Sequence, residues 1–445
     1  MSDSILTSQD FSVNNENFFR NLGLKMFNYP LDTIMVPIQA VLFVFTFYLC
    51  VIGFFGMWRR KEIKIKMPQK KFAVIVAAHN ENAVIAPLIE NLKSLDYPDD
   101  LYDIFVIADN CSDNTAEIAA RAGAIVCKRV DETKKSKGFA LEWMFEKLFD
   151  MEKRGQIYDA VAIFDADNLV HPNFLMEMNN RLCKGDKIIQ GFLDAKNPYD
   201  TWVSGTFAIA FWVIDYVSHL AKTNLGLSAV LGGTGMCITI DVLKKYGWRA
   251  TCLTEDMEFT MKSLAEGLKT TWAHDAIVYD EKPLTFAQSW TQRKRWAQGQ
   301  FDVAHRFIPK MLREGWRRKD IRLWDGCLYL LQPHFLMLSS FFFLMSYIQL
   351  FVGTIYTNIY SVLPSQILMV IMVAQYVLPM IILIKVRAKL KSWWYLLFYP
   401  LFIYSWIPII FLGFIHRNEH EWAHTRHTRS MSYDDFVKKR TYRRR

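Results

Sequence analysis

Between residues 67 and 310, short apolar runs alternate with amphipathic stretches. Phe72 to Ala78 is apolar at every position, the pattern of a strand buried on both faces. Asn82 to Leu95 spaces its apolar residues as a helix does and stops at the Asp96-Tyr97-Pro98 turn. Asp103 to Ala108 predicts a second strand, Asp113 to Ala122 a helix closed by Gly123, and Ala124 to Lys128 a third strand. Phe139 to Met151 predicts a helix and Ala160 to Phe164 a fourth strand. This alternation predicts an α/β domain with a mostly parallel sheet covered on both faces. Ligands of such sheets bind beyond the carboxyl ends of the strands, so the polar residues after each strand are the ones to read for function.

Outside this region the pattern changes. Met35 to Trp58 is a run of 24 residues without Asp, Glu, Lys or Arg. At about 1.5 Å per residue it reaches roughly 36 Å, enough to cross a bilayer core of about 30 Å. It starts too far into the chain for a cleavable signal peptide. Further apolar segments lie at roughly 327–356, 361–384 and 392–415. The expected boundaries are an extracytoplasmic segment at 1–34, a transmembrane helix at 35–58 and a cytosolic domain at 67–310. An amphipathic interface segment at 311–326, transmembrane helices within 327–415 and a basic tail at 416–445 follow.

Charge orients these segments. Arg59-Arg60-Lys61 follows the first run, whereas Arg20 and Lys25 are the only basic residues before it. Positive-inside bias therefore places residues after 58 in the cytosol. The tail from His416 carries nine Lys/Arg against four Asp/Glu, which also favours the cytosol. Three crossings after 326 would put it outside, so one segment is expected to be re-entrant or interfacial. The best candidate is 392–415, interrupted by Pro400 and Pro408.

At 445 residues, 52% apolar and 15% aromatic, the chain is too apolar for an ordinary soluble protein and too charged for a pure membrane bundle. Its net charge of +9 gathers beside the apolar runs, so it reads as a membrane-orientation signal and not as a nucleic-acid surface. The seven cysteines are scattered, with no CxxC pair, which fits reduced cytosolic thiols.

The fourth strand ends in Asp165-Ala166-Asp167. Two carboxylates one residue apart at a strand end suit a hard divalent cation, with phosphate oxygens completing its shell. The first strand ends in Ala77-Ala78-His79-Asn80-Glu81 and the second in Asp109-Asn110-Cys111-Ser112-Asp113. Asp109 is a candidate ligand acceptor, and Ser112 or Asp113 suits a helix N-cap. Lys134, Lys135 and Lys137 precede a helix and either cradle phosphates or form a solvated loop. Gly232-Gly233-Thr234-Gly235 permits close backbone approach to a ligand. In Thr254-Glu255-Asp256 the threonine suits an N-cap, and the acids suit either a helix start or a general base. Gln292-Arg293-Lys294-Arg295-Trp296 lies on a helical stretch beside the membrane segments and reads either as an interface helix or as a diphosphate and sugar site.

Together these motifs resemble the family 2 inverting glycosyltransferases, specifically the membrane-embedded processive synthases of cellulose, chitin, hyaluronan and poly-N-acetylglucosamine. The order is Asp109, then Asp165-Ala166-Asp167, then Thr254-Glu255-Asp256, then Gln292-Arg293-Lys294-Arg295-Trp296: the D, DxD, TED, QxxRW series, followed by apolar segments. The likeness is close over about 67–300. It implies a GT-A fold, a Rossmann-like nucleotide-sugar-binding domain with a mostly parallel sheet, beside an α-helical transmembrane region. By the same resemblance, Ala77, His79, Glu81 and Asp109 hold the uridine. Lys137 and Asp165 contact the donor, and Asp165 and Asp167 ligate Mg²⁺ or Mn²⁺. Asp256 is the base, beside Glu255. Gly235, Thr254, Gln292, Arg295 and Trp296 serve the diphosphate and the acceptor. Trp422-Ala423-His424-Thr425 resembles the W-x-x-T gating segment of some synthases.

The expected function is processive β-glycosyl transfer from a UDP-sugar, UDP-glucose first, to a polysaccharide threaded through the membrane. UDP-N-acetylglucosamine polymerisation, single-sugar transfer to a membrane lipid and a non-catalytic export scaffold are the alternatives. Expected partners are the UDP-sugar, the polysaccharide acceptor, the bilayer, and an accessory secretion subunit or a second copy of the chain. Nucleic acid is not among them.

Overall fold

The computed structural model describes residues 28–65, 67–249, 251–359, 365–419 and 430–441. The W-x-x-T segment lies outside them. Among the described residues, one compact unit draws on those within 28–51 and 334–378, and a second on those within 52–333 and 379–441.

The second unit is built on an eight-stranded sheet. Its strands are β1 (Phe72–Ala78), β2 (Tyr102–Asp109), β3 (Ile125–Arg129), β4 (Ala160–Asp165), β5 (Leu169–Val170), β6 (Ile188–Ala195), β7 (Met236–Thr239) and β8 (Thr270–Asp280), in the order β3-β2-β1-β4-β7-β6-β8-β5. The first four are parallel, as their apolar runs predict. β7 is antiparallel to both β4 and β6, β6 and β8 are parallel, and the two-residue β5 runs antiparallel along the β8 edge.

Alternate residues of the central strands feed two cores. Val74, Val76 and Ala162 face the helices α2 (Ile85–Lys93), α3 (Thr115–Arg121) and α5 (Phe174–Cys183). Ile75, Ile107 and Ile163 face α4 (Lys137–Lys153) and α7 (Ile240–Tyr246). Helix α6 (Trp202–Ile214) continues through a π-helical turn to Asn224. That stretch is long and apolar enough to cross a membrane, yet its most apolar window is 67% buried. Ala208, Ile209, Trp212 and Leu220 pack against Phe192 and Trp272 of the sheet, so it serves here as a sheet cover.

Helix α8 (Glu255–Ala265) leads to β8, and α9 (Phe286–Arg318) carries the QxxRW residues. Its N-terminus is closed by a capping box between Thr285 and Gln288. Lys319 turns the chain with φ +53, and α10 (Ile321–Val352) begins. The expected interface segment at 311–326 is not one helix. It spans the end of α9, the turn and the start of α10, and Met311, Leu323 and Cys327 are buried with Met261 and Leu264 of α8. Arg313, Arg317, Arg318 and Lys319 are exposed, whereas Asp325 is buried and pairs with Lys222 at 3.0 Å.

The apolar segment after 390 is three short helices, α12 (Leu390–Tyr395), α13 (Tyr399–Tyr404) and α14 (Trp406–Ile415). Pro400 falls in the first turn of α13, where its missing N–H is harmless. α14 packs on α9 so closely that a Cβ on Gly413 would lie 2.6 Å from Ala297 Cβ.

In the first unit, α1 (Asp32–Phe54), the later part of α10 and the residues after it share Leu42, Phe342 and Tyr356. Asp32 is fully buried there, and its carboxylate accepts from the Thr357 N–H (2.6 Å) and hydroxyl (2.8 Å). Helix α11 (Ser365–Lys385) follows.

Candidate active site

The register brings the strand ends level. Ala77 pairs with Asp165 on one side and with Ile107 on the other. The Asp165 N–H donates to Asn168 Oδ1 (3.0 Å) and Thr234 Oγ1 (3.1 Å), so the DxD turn is tied to the glycine-rich loop. Its carboxylate is ion-paired with Lys137, the first residue of α4 after the Ser136 N-cap.

Lys137 also donates to the Gly233 carbonyl at 2.7 Å. Burial works against its charge, but Asp165, Glu255 and Asp256 outweigh it and hold its pKa above the usual lysine value. Gly233 has φ +82, and a Cβ there would stand 3.3 Å from Asp256 Oδ2. The DxD, lysine, glycine loop and TED motif, spread over more than a hundred residues of sequence, therefore meet at one place.

Burial, then the neighbouring Glu255, pushes the Asp256 carboxyl up to about 7, against the Met257 N–H, Lys137 and Arg295, which pull it down. Burial also raises Glu255, while Lys137 and Arg295 lower it. Thr254 stands at the N-cap but makes no side-chain cap. It faces α9, where a Cβ on Gly299 would lie 2.3 Å from its Oγ1. The loop before it is held by Glu258, which accepts from the Thr251 and Cys252 N–H groups and pairs with Arg306 at 2.6 Å.

Gly235, expected on the diphosphate and acceptor side, is turned into the sheet. It is buried, its N–H donates to Ile163 and its carbonyl accepts from Gly191, and a Cβ would meet Val278 Cγ1 at 2.5 Å. It packs the sheet, while the more open Gly233 lies beside Asp256.

At the β2 end, Asp109 is paired with the buried Arg129 at 2.5 Å. Arg129 also reaches Asp131 (3.1 Å) and the Lys134 carbonyl (2.9 Å), fixing the loop that leads to Lys137. The Asp109 carbonyl bonds His79 Nδ1 at 2.8 Å. Glu81 is 5% exposed, and its N–H donates to Thr115. The start of α3 is served by Asp113, which accepts from the Thr115 N–H, while Asn114 holds the N-cap position.

Asp167 accepts from the Glu281 N–H at 3.0 Å, and its carbonyl accepts from Lys196 at 2.6 Å. Asp280 lies close enough that Asp167 and Asp165 add to the upward push of burial on its pKa, opposed by Lys282. No group of three His, Cys, Asp or Glu side chains stands ready for a metal among the described residues. Asp165 and Asp167 offer hard oxygen donors, a set that fits Mg²⁺ or Mn²⁺ provided phosphate oxygens fill the other positions.

On α9 the motif residues part ways. Arg293 is fully buried, donates to Ser405 Oγ (2.8 Å) and the Phe402 carbonyl (3.2 Å), and lies over the Phe402 ring. Arg295 bears on Glu255 and Asp256. Trp296 packs on Phe207 (5.8 Å) and Phe211 (6.0 Å). Gln292 Oε1 is buried with no hydrogen-bond partner among the described residues.

Sequence reasoning missed Arg129, Glu258, Asp280 and Gly299. Gly299, three residues beyond Trp296 on the same helix face, was open to a spacing argument.

Residues 68–299 match the family described as "Glycosyltransferase like family 2". The chain is similar to the probable glycosyltransferase YdaM of Bacillus subtilis, 25% identical over 297 residues, 65% of each chain. It is 26% identical over 287 residues to a beta-monoglucosyldiacylglycerol synthase of Nostoc, covering 62% of this chain and 58% of the relative. It is 25% identical over 262 residues to a poly-beta-1,6-N-acetyl-D-glucosamine synthase of Staphylococcus epidermidis, covering 54% and 56%. The matches thus span 56–65% of these relatives' lengths. A mannosyltransferase of Pyrobaculum calidifontis, solved with GDP-Man and Mn²⁺, shares the fold with TM-score 0.54 at 15% identity, over 86% of this chain and all of that one.

Proposed function

The chain belongs to the glycosyltransferase-like family 2, and from that membership we propose that it is a processive, inverting β-glycosyltransferase using a UDP-sugar, UDP-glucose first. The observation that carries this reading is the meeting of Asp165, Lys137, Gly233 and Asp256 at the ends of the strands.

In this reading an acceptor hydroxyl attacks the anomeric carbon while the bond to UDP breaks. Asp256 takes the hydroxyl proton as the new C–O bond forms. Displacement from the opposite face turns an α-linked donor into a β-linked product. Ala77, His79, Glu81 and Asp109 hold the uridine side. Lys137 and Asp165 orient the donor, and Gln292 and Arg295 meet the diphosphate charge. Thr254 and Glu255 seat the base, and Trp296 offers a ring face to the acceptor sugar. Bound at Asp165 and Asp167, Mg²⁺ or Mn²⁺ would supply Lewis-acid stabilisation of the leaving diphosphate.

The seating of 390–415 on α9 supports a topology with three crossings, by α1, α10 and α11. The catalytic unit and residues after 430 then lie on the cytosolic side, where Arg59-Arg60-Lys61 and Lys385-Val386-Arg387 favour them.

A second reading, transfer of one sugar to a membrane lipid, is favoured by the likeness to beta-monoglucosyldiacylglycerol synthase. Labelled UDP-sugars with Mn²⁺ separate the two. Radioactivity in a high-mass, glucosidase-sensitive product supports polymerisation, and radioactivity in the organic phase supports the lipid.

A further inference from the structure

The described stretch after residue 430, on sequence merely basic, carries an apolar clasp. Helix α15 (Tyr433–Thr441) is capped by Ser432, whose hydroxyl accepts from the Asp435 N–H at 3.2 Å. Met431 and Phe436, 8% and 5% exposed, form one cluster with Leu169 and Tyr279, 1% and 5% exposed. The Phe436 and Tyr279 rings lie 4.6 Å apart.

Both strands under this clasp lead to Asp167. Leu169 follows it by two residues. Tyr279, its partner in register, precedes Asp280 and Glu281, and the Glu281 N–H donates to Asp167 Oδ2 at 3.0 Å. β5 has only two residues and lies at the sheet edge, so few ladder bonds hold it. A buried aromatic pair such as Phe436 and Tyr279 adds packing to that edge.

We propose that Met431 and Phe436 are positioning residues, a strap over β5 and β8 that sets Asp167 where a divalent cation and the donor diphosphate are bound. The proposal rests on the reading of Asp167 as a cation ligand given above. Groups that orient a ligand from outside typically govern metal affinity by about 10- to 100-fold.

The test uses the full chain in detergent, with Phe436→Asp, the milder Phe436→Leu and, as a control, Val437→Asp at an exposed position of the same helix. Amide hydrogen exchange is followed over 166–170 and 279–282 without metal, and Mn²⁺ uptake is read by electron paramagnetic resonance in the presence of UDP. Phe436→Asp is expected to speed exchange in both segments and weaken Mn²⁺ uptake about 10-fold or more, with Phe436→Leu and Val437→Asp close to wild type. Unchanged exchange and Mn²⁺ uptake in Phe436→Asp would overturn the strap and leave the cation reading standing. An equal loss in Val437→Asp would also overturn it, since the clasp would then not be specific. No Mn²⁺ uptake by the wild-type chain would overturn the cation reading itself, and the strap's role with it.

Discussion

A side chain on Gly233 would begin 3.3 Å from Asp256 Oδ2, and the Gly233 backbone already sits at φ +82. A Cβ there would be a tight contact that the carboxylate could meet only by shifting a few tenths of an ångström. Gly233→Ala adds backbone strain of about 1–2 kcal/mol and presses on Asp256. The expected result is sugar transfer reduced by about 10-fold, with only a few degrees lost in Tm.

Asp256 gives a pH signature. Its raised pKa means that the base is protonated, and inactive, on the acid side of neutrality. kcat/KM is expected to rise with pH through about 7. Glu255→Gln removes a like charge, so the Asp256 pKa falls and the acid limb moves to lower pH. A limb that stays in place in Glu255→Gln would mean that another group titrates.

Arg293 and Arg295 sit two residues apart with opposite expected phenotypes. Arg293 is buried on Ser405 and Phe402, and burial pulls its pKa down to about 10. Arg293→Met strands those partners, at a cost of about 1–3 kcal/mol, and is expected to lower Tm in detergent. Arg295→Met is expected to keep Tm and lose transfer, because its charge faces Glu255 and Asp256. Thermal melts beside UDP release distinguish the two.

Gly299 predicts a coupled effect. A side chain there would overlap Thr254, so Gly299→Val is expected to push the Thr254-Glu255-Asp256 turn off its seat. Transfer is expected to fall by about 10²-fold with UDP-sugar binding retained, because about 1 Å of misplacement costs that much. Calorimetry with UDP-sugar checks the binding half.

The first half of the sheet was legible because β1, β2 and β4 are uninterrupted apolar runs. The second half was not. β6 buries Gln190, whose amide serves the Thr234 carbonyl and the Gly232 N–H, and β8 carries His274 and Asp275 at a register shift. Neither fits a simple alternation. The four motifs named residues that the fold brings to the strand ends, but motif order does not say which way a helix faces. Only the packing of Phe402 in α13 and of Ser405 on α9 separates Arg293 from Arg295, and only the fold turns Gly235 into the sheet. The clasp of Met431 and Phe436 was hidden for a related reason: two apolar residues in a basic stretch look unremarkable until the edge they cover is known.

The most direct test of the central claim is UDP release by the purified chain with Mn²⁺ across a panel of UDP-sugars, wild type beside Asp256→Asn. Release is expected with one sugar and is abolished by chelation, with a fall of about 10²-fold or more in Asp256→Asn, which still binds that donor. Near-normal release by Asp256→Asn would contradict the assigned base, and no release by the wild type with any UDP-sugar would contradict the proposed donor class.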